Sequence, residues 1–346
     1  MANVVLNGRV LGGSLTGVQR YVIELWRRLR GVELLQPAEP LDGVRGHLWE
    51  QLVLPHLIKG RLLFSPSNTG PLLVGHQVLT VHDTVPFDHP EWLNPRFAAW
   101  YRAIVPRLVR RVARVIAVSE WTRQRILEWT AVEPERVVVI RNGVDARFFR
   151  LSAERVQRTC KSLGLEPGRY VLTVGTLEPR KNLPRVLEAW RQLPKELRED
   201  LPLVVVGGQG KSSIFRHLYL GELPPNVLLM GHIEDEILPA LYSGARAFVY
   251  LSLYEGFGLP ALEALAAGTP VLTSNRSALP EVVGEAALKV DPTNIDEIAW
   301  GLGRVLADEQ LRSYLHKAGP ERARQFSWDK TACETQRLLE EVAMAK

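Results

Sequence analysis

The sequence predicts an α/β fold with two domains, each a parallel β-sheet covered on both faces by helices. Short, continuously apolar runs rich in valine and leucine alternate with longer stretches of helical periodicity along the chain. Such runs are typical of strands buried on both faces of a parallel sheet. Most of them end in Gly, Ser, Asn or His, at the strand tips where open α/β sheets bind ligands.

The predicted strands fall into two groups. A first strand precedes Gly12, and the later apolar runs are 78–81, 115–118, 137–140, 170–174, 203–206, 247–251 and 271–274. A polar helix at about 153–163 and the glycine-containing turn 164–168 lie between the groups, as is typical of a hinge. We therefore expect one domain over residues 1–160 and a second over residues 161–325, with a ligand cleft between them.

Composition narrows the class of protein. The 346 residues are 46% hydrophobic and 23% charged, as in folded globular proteins and unlike disordered ones. Two cysteines, Cys160 and Cys333, exclude a disulfide framework and fit a reducing cytosol. The N-terminal residues lack the pattern of a signal peptide, and no apolar run approaches the ~20 residues that span a bilayer. We therefore expect a cytoplasmic protein.

The net charge of +5 is unevenly distributed. Residues 1–150 hold 20 Lys and Arg against 13 Asp and Glu, whereas the remainder holds 23 against 25. A basic half suggests an anionic partner, and nucleic acid, an anionic membrane surface and a phosphorylated substrate all stay open. Arginine-rich composition without a functional role is the alternative.

The most informative motif runs from Glu255 to Gly268. Pro260 suits the first turn of a helix and Gly268 the position after its end, which predicts a short helix at 259–267. The preceding loop glycines let the backbone approach a ligand, beside free amide groups that bind anions. Glu255 lies in the loop and Glu263 inside the helix. The alternative is an ordinary helix start with two surface carboxylates.

A second motif follows the strand at 170–174. Gly175 ends that strand, and Arg180 and Lys181 lie in the loop before the next helix. Two adjacent cations there would neutralise a diphosphate without a metal ion. An exposed basic turn is the alternative.

Two further motifs lie in the first domain. The loop 12–17 opens a helix near Val18, and Gly17 would allow close approach of a ligand to the backbone. This loop matches neither the dinucleotide nor the Walker glycine pattern. His82 and Asp83 lie at a strand tip, where the histidine would donate to a sugar hydroxyl or stabilise a developing charge. A structural histidine is the alternative.

Several patterns are absent from the sequence. Gly210 and the two residues after it resemble a Walker tail, but Val205 stands where the first glycine should be. There is no Asp-x-Asp, no Cys/His cluster and no Gly-x-Ser-x-Gly, and His217 and His316 lack metal-ligand spacing. We therefore expect neither a metal nor a cofactor.

Together these motifs resemble the retaining glycosyltransferases of family 4 over almost the whole chain. The matching segments are 16–18, 81–83, 118–119, 142–145, 175–182, 231–232 and 255–263. Members have the GT-B arrangement of two facing Rossmann-like domains, with a nucleotide sugar held mostly by the second. The resemblance also implies that residues 326–346 form a helix that crosses back to the first domain.

The resemblance implies roles for the matched residues. Glu255 would bind a hydroxyl of the donor sugar, Glu263 the ribose hydroxyls, and Arg180 with Lys181 the diphosphate. Thr176 is a departure, because many relatives have arginine there. The other implied site residues are Gly256, the amides of Phe257, Gly258 and Leu259 for sugar and phosphate, Gly17 for the distal side of the diphosphate, His82 at the sugar face, and Thr16, Asp83 and Asn142 at the acceptor or cleft.

The sequence of residues 175–182 resembles bacterial mannosyltransferase-like members of cell-surface polysaccharide synthesis. The resemblance implies transfer of a hexose with retention, from GDP-mannose first of all, to a hydroxyl of a glycan or lipid-linked acceptor. It implies front-face substitution, in which the departing diphosphate helps to deprotonate the acceptor and its stabilisation is the main electrostatic task. A double displacement would need a carboxylate nucleophile, for which Glu255 is the obvious candidate.

Three alternatives to this function stay open. They are a UDP-sugar-dependent glycosyltransferase, a nucleotide-sugar epimerase of the same two-domain fold, and a basic nucleic-acid-binding protein. The last would explain the charge but not the 255–263 block, and no nucleic-acid motif appears, so we expect no nucleic-acid partner.

A final prediction concerns a helix at 97–114, interrupted or kinked at Pro106. Its predicted core positions are Phe97, Tyr101, Ile104 and Leu108. Its other face carries Arg107, Arg110, Arg111 and Arg114. These cations would attach the first domain reversibly to the inner face of the membrane, beside a lipid-linked acceptor. A solvated helix face is the alternative.

Overall fold

The computed structural model describes residues 4–12, 16–41, 43–149, 151–209, 211, 213–216 and 218–345. The chain divides into two units, one formed by residues 1–143 with 327–346 and the other by residues 144–326. Each unit is built on its own parallel sheet, which confirms the predicted α/β class. Among the described residues no helix is long and apolar enough to cross a membrane.

The sheet of the first unit has six strands in the described residues, in the order β2-β1-β3-β4-β5-β6. They are β1 (Val4–Asn7), β2 (Val32–Leu35), β3 (Leu62–Ser65), β4 (Gln77–Val81), β5 (Arg114–Ala117) and β6 (Val137–Val139). Val5 of β1 pairs with Leu63 of β3, which pairs with Gln77 of β4. These three strands are buried along their whole length, as expected of the centre of a covered parallel sheet.

Helices connect the strands of the first unit. They are α1 (Gly17–Trp26), α2 (Gly43–Leu48), α3 (Leu54–Leu57), α4 (Val85–Asp88), α5 (Pro95–Arg111) and α6 (Glu120–Thr130). A π-helical turn, Trp49–Val53, joins α2 to α3, and Arg9–Gly12 forms a 3-10 turn after β1. Leu54 and Ile58 pack on the strand residues Val5 and Leu63.

Helix α5 differs from its prediction at both ends. Asn94 caps it by accepting from the amide of Arg96 at 3.0 Å, and the helix runs without interruption through Pro106 to Arg111. The predicted interruption is therefore wrong, while the alternative of a kink at Pro106 stays a prediction. Arg114 opens β5 instead of sharing a helix face, because the buried strand begins there. The predicted core positions Ile104 and Leu108 are buried, whereas Phe97 and Tyr101 are half-buried.

The sheet of the second unit also has six strands in the described residues, in the order β12-β11-β10-β7-β8-β9. They are β7 (Val171–Val174), β8 (Leu203–Val206), β9 (Val227–Gly231), β10 (Ala247–Tyr250), β11 (Val271–Ser274) and β12 (Leu288–Val290). Its helices are α7 (Ala153–Ser162), α8 (Leu183–Gln192), α9 (Lys195–Arg198), α10 (Leu238–Gly244), α11 (Leu259–Ala266), α12 (Leu279–Val283), α13 (Ile295–Ala307) and α14 (Glu309–Ala323).

The division between the units lies after Gly143 and not near residue 160. Helix α7 belongs to the second unit, where Cys160 lies 3.5 Å from the hydroxyl of buried Tyr170. The last helix, α15 (Trp328–Met344), belongs to the first unit. A Cβ at Gly143 would lie 2.1 Å from the backbone nitrogen of Trp328, so glycine is needed for this close approach.

Candidate active site

The connections of the second-unit sheet reverse direction between two neighbouring strands. From β7 the chain adds β8 and β9 on one side, whereas from β10 it adds β11 and β12 on the other. Open α/β sheets bind ligands outside the carboxyl ends of the two strands at such a crossing. The loop after β7 carries Arg180 and Lys181, and the loop after β10 carries Glu255, so the two predicted motifs meet here.

A glycine lets the neighbouring loops approach each other. Gly207, just after β8, has a φ of +140°, and a Cβ there would lie 1.9 Å from the carbonyl oxygen of Gly175. The Gly175 amide donates to the Val206 carbonyl at 2.9 Å. Glycine at position 207 therefore keeps the loop that carries Arg180 and Lys181 against the end of the sheet.

Glu255 is buried, and its carboxylate accepts hydrogen bonds from three side chains. Oε1 accepts from Lys181 Nζ at 2.6 Å and from the Tyr250 hydroxyl at 2.7 Å. Oε2 accepts from Arg180 Nη1 at 2.9 Å. Lys181 Nζ also donates to the Tyr250 oxygen at 2.6 Å. The predicted diphosphate-binding cations and the predicted sugar-binding carboxylate therefore form one hydrogen-bonded cluster.

A second carboxylate, Glu178, belongs to this cluster and was not predicted. Glu178 is fully buried, and its Oε1 lies 2.8 Å from Arg180 Nε. Arg180 thus contacts Glu178 through Nε and Glu255 through Nη1. An acidic residue two positions before the arginine was the available sequence signal. The cluster contains two formal positive charges and two formal negative charges.

The charges of the cluster oppose the effect of burial on Glu255. Burial alone raises the pKa of this carboxyl. Arg180 first, and then Lys181, lower the pKa by more than burial raises it, and the net value is about 2. Burial and the neighbouring Arg180 lower the pKa of Lys181, against the opposing effect of Glu255. Burial and Glu255 raise the pKa of Tyr250 well above its ordinary value. At neutral pH an ionised Glu255 therefore accepts from a protonated Tyr250 hydroxyl.

Helix α11 begins beside this cluster, within one residue of the predicted bounds. Gly258 precedes it with a φ of +100°, and a Cβ there would lie 2.6 Å from Leu279 Cδ2, so glycine is required. The Glu255 amide donates to Ser277 Oγ at 2.9 Å, which fixes the start of the loop. Of the other predicted positions, Gly256 and Phe257 are buried and Leu259 is half-buried.

Glu263 lies inside α11 and is buried. The hydroxyl of Tyr242, also buried, donates to Glu263 Oε2 at 3.2 Å. This contact holds the carboxylate in one orientation from α10. The predicted role of Glu263 in binding ribose hydroxyls stays a prediction.

In the first unit, His82 lies at the tip of β4 with both its backbone and its ring held. Its Nε2 lies 2.7 Å from the Pro66 carbonyl, and its amide donates to Asn68 Oδ1 at 2.6 Å. A carbonyl only accepts, so Nε2 carries the proton, and burial lowers the pKa of His82 to about 4. The neutral ring then offers Nδ1 as an acceptor. The one N–H of the neutral ring is therefore already used by Pro66, which contradicts donation to a sugar hydroxyl, while the other predicted role, stabilising a developing charge, stays a prediction.

The remaining first-unit predictions lie at separate strand and helix ends. Asp83 accepts from the amide of Val85 at 3.2 Å at the start of α4. Thr16 and Gly17 are exposed at the start of α1. Asn142 is buried, and its side-chain oxygen accepts no hydrogen bond from the described residues.

Some positions singled out in the sequence lie outside the described residues. They are Gly13, Ser14 and Leu15 of the first loop, Gly210 and Ser212 of the Walker-like tail, and His217. In the part of the chain that is described, no group of three or more His, Cys, Asp or Glu is arranged to hold a metal ion.

Comparisons with known proteins identify the family of the chain. A family model described as "Glycosyl transferases group 1" matches residues 158–322, and another described as "Glycosyltransferase Family 4" matches residues 55–148. The O-antigen chain mannosyltransferase B of Escherichia coli is 32% identical over 279 residues, which are 80% of this chain and 73% of that protein. The chain belongs to glycosyltransferase family 4.

A longer relative and a solved structure extend the comparison. The serotype-specific mannosyltransferase WbdA of Escherichia coli is 32% identical over 74% of this glycosyltransferase, which spans only 32% of WbdA. The crystal structure of Anabaena HepE in complex with UDP and glucose has a TM-score of 0.78 and 18% identity. The structural match covers 98% of this chain and 100% of HepE. That likeness shows the fold, which is the predicted GT-B fold.

The cluster predicts different effects for its carboxylate and its lysine. Lys181→Ala removes the predicted charge-assisted contact with the phosphate, and we expect nucleoside diphosphate binding to weaken by about 1.5–3 kcal/mol. Glu263→Ala should weaken it by a similar amount through the ribose. Glu255→Gln should retain nucleotide binding yet lose turnover, because the ligand predicted for Glu255 is a hydroxyl of the donor sugar and not the nucleotide. Calorimetry with GDP and UDP, together with turnover, measures both effects.

A surface carboxylate provides the control for these variants. Glu188 pairs with Arg191 and is half-exposed, so Glu188→Gln should change neither nucleotide binding nor turnover. If Glu255→Gln abolishes binding of the free nucleotide, Glu255 has been assigned the wrong role.

Proposed function

We propose that this glycosyltransferase moves a hexose, with retention of anomeric configuration, from a nucleotide sugar to a hydroxyl of a glycan or lipid-linked acceptor in polysaccharide synthesis. GDP-mannose is the leading donor. The observation that carries the proposal is the cluster of Arg180, Lys181 and Glu255 at the crossing of the second-unit sheet. It combines cations suited to a diphosphate with a carboxylate suited to a sugar hydroxyl.

The assignment of the hexose is supported by the relatives. The Escherichia coli proteins at 32% identity are named as mannosyltransferases, one of the O-antigen chain and one serotype-specific. HepE, whose structure contains UDP and glucose, keeps a UDP-sugar donor as the second candidate. A nucleotide-sugar epimerase is not favoured, since these relatives are named as transferases.

The state of Glu255 favours front-face substitution over double displacement. A carboxylate with a pKa of about 2 is a weak base, and this one is already engaged by three side-chain donors. A nucleophile for the anomeric carbon would need a free and more basic oxygen. The leaving diphosphate, stabilised by Arg180 and Lys181, would instead accept the proton of the acceptor hydroxyl.

The configuration of the product tests this mechanism. With GDP-mannose as donor, we expect an α-linked product, because GDP-mannose itself is α-linked and the configuration is retained. NMR of the purified product gives the anomeric configuration. A β-linked product would exclude the mechanism, and the donor assignment fails separately if only UDP-sugars are consumed.

The diphosphate should be held without a metal ion. Arg180, Lys181 and the amides at the start of α11 provide positive charge and donors for it, so EDTA should leave the rate of transfer unchanged. The assay compares initial rates with EDTA alone and with EDTA plus excess Mg²⁺ or Mn²⁺. An absolute requirement for either ion would contradict the assignment of the phosphate-binding residues.

We also propose that the first unit attaches to the surface of anionic membranes. Three of the predicted arginines, Arg107, Arg110 and Arg111, are exposed on α5, a helix without acidic residues. The side chain of His47 on α2 contacts that of Trp100 on α5, with ring centroids 5.5 Å apart. The surface of α5 therefore adjoins that of the segment 43–57.

The segment 43–57 adds an apolar component to this surface. Its large apolar side chains with exposures of 41% to 74% are Val44, Leu48, Leu52, Val53 and Leu57. The only acidic residue of the segment, Glu50, is fully buried. An exposed apolar face flanked by cations is typical of helices that lie in the membrane interface. A second copy of the same basic surface would be repelled, which favours lipid over self-association.

Vesicle binding tests this attachment. Sedimentation with liposomes should increase with the fraction of anionic lipid and decrease with salt, since each cation near such a surface contributes about 1 kcal/mol. Arg110→Glu with Arg111→Glu should weaken binding strongly. The same charge change at exposed Arg155 and Arg158 of α7 is the control and should have little effect. Equal binding to neutral vesicles, or none to acidic ones, would refute the proposal.

A further inference from the structure

The first-unit sheet has a crossing of its own, between β1 and β3. From β1 the chain adds β2 on one side, whereas from β3 it adds β4, β5 and β6 on the other. Arg9 follows β1, and Thr69 follows β3. Arg9 Nη2 donates to Thr69 Oγ1 at 3.0 Å, so a guanidinium joins the two loops at the position where such sheets bind ligands.

The carboxylate of Glu50 holds the guanidinium of Arg9 at this crossing. Its Oε1 accepts from Arg9 Nε at 3.1 Å and from Asn7 Nδ2 at 2.7 Å, and the side chain is fully buried. Glu50 lies on the π-helical turn between α2 and α3, and such turns often occur at functional sites. Its Oε2 lies 3.7 Å from His47 Nδ1, and neither atom hydrogen-bonds to a described residue.

Two hydrogen bonds fix the guanidinium of Arg9, and one of its nitrogens donates to no described residue. Nε and Nη2 donate to Glu50 and Thr69, while Nη1 donates to no described residue and the side chain keeps 10% exposure. Because Arg9 has a buried carboxylate as its partner, the site carries little net charge. Because two contacts already fix the side chain of Arg9, it has little conformational entropy left to lose when it binds a ligand.

One loop connects this arginine to His82. The Pro66 carbonyl and the Asn68 side chain accept from His82, and Thr69, the next residue, accepts from Arg9. Asn68 has a φ of +66°, which forms the tight turn between these contacts. Arg9 and His82 are therefore held at the same edge of the first-unit sheet by the segment 66–69.

We propose that Arg9 binds a hydroxyl of the acceptor glycan through Nη1, with Glu50 and Thr69 as positioning residues. This inference rests on the proposed glycosyl transfer and adds the acceptor subsite to it. The ligand class is a neutral sugar, because the charge of Arg9 is already matched by Glu50. A phosphorylated or carboxylated acceptor would be matched better by two adjacent cations, as Arg180 and Lys181 provide in the second unit.

Kinetics with a synthetic acceptor test the subsite. The probe is octyl α-D-mannopyranoside, with GDP-mannose as donor. Arg9→Lys keeps the charge that Glu50 needs but loses the planar fork, and we expect the acceptor KM to rise at least tenfold. Thr69→Val removes the Nη2 partner and should raise it about threefold. The donor KM and the melting temperature should stay close to those of the wild type.

Arg61→Lys is the matched control, because Arg61 pairs with the half-exposed Glu33 in the same unit and should leave both KM values unchanged. An unchanged acceptor KM in Arg9→Lys would overturn the subsite. An equal rise of the donor KM, or a large fall in melting temperature in both Arg9→Lys and Thr69→Val, would show that Arg9 stabilises the fold and does not bind the acceptor.

Saturation-transfer NMR with the same mannoside separates this inference from the proposed function. Binding to the wild type that is lost in Arg9→Lys supports the subsite, even if no mannose is transferred and the proposed function fails. Binding that persists unchanged in Arg9→Lys overturns the subsite alone. No binding to the wild type, or stronger binding of mannose 6-phosphate, overturns the assignment of a neutral mannoside as ligand.

Discussion

The carboxylate of Glu255 is the contact on which the second-unit site depends. Through Arg180 and Lys181 it joins the loop after β7 to the loop after β10, while Tyr250 holds one of its oxygens from the strand itself. Burial disfavours its ionised form, and the two cations more than reverse that effect. Removing either cation would leave a buried charge less well paired, which is among the costliest changes in a protein interior. The carboxylate proposed to bind the donor sugar therefore also holds the strand tips together.

Both sheets place an arginine paired with a buried glutamate at the crossing of their strands. In the second unit the pair is Arg180 with Glu178 and Glu255, and in the first it is Arg9 with Glu50. In the second unit the ion pair itself joins the two loops, whereas in the first Arg9 joins them through Thr69 and Glu50 fixes the guanidinium. Side-chain contacts of this kind supply rigid donors at the place where such sheets bind ligands.

The sequence predicted the elements that have strong local signals. Each predicted strand agrees with the structure to within one residue at either end, and the Glu255 and Arg180 motifs meet as expected. Four of the strands in the described residues were not predicted. The strands β2, β9 and β12 lie at sheet edges and are partly exposed, so they lack continuous apolar runs, whereas β3 is a short buried strand at the centre of its sheet that was missed. Tyr250 was counted only as an apolar strand residue, because nothing local to it indicates that its hydroxyl contacts Glu255. The tautomer of His82 likewise depends on Pro66, which is remote in sequence.

The net charge of the cluster of Arg180, Lys181, Glu178 and Glu255 changes the consequence of having Thr176 where many relatives have arginine. From the sequence alone, Arg180 and Lys181 are two cations that remain available to a diphosphate. In the folded chain both contact Glu255, and Arg180 also contacts Glu178, so the four formal charges cancel. A diphosphate bound here, as proposed, would therefore meet a neutral cluster and compete with carboxylates for the same donors. The proposed phosphate contact with the amides at the start of α11, the helix that Gly258 opens with a φ of +100°, would then matter as much as either cation.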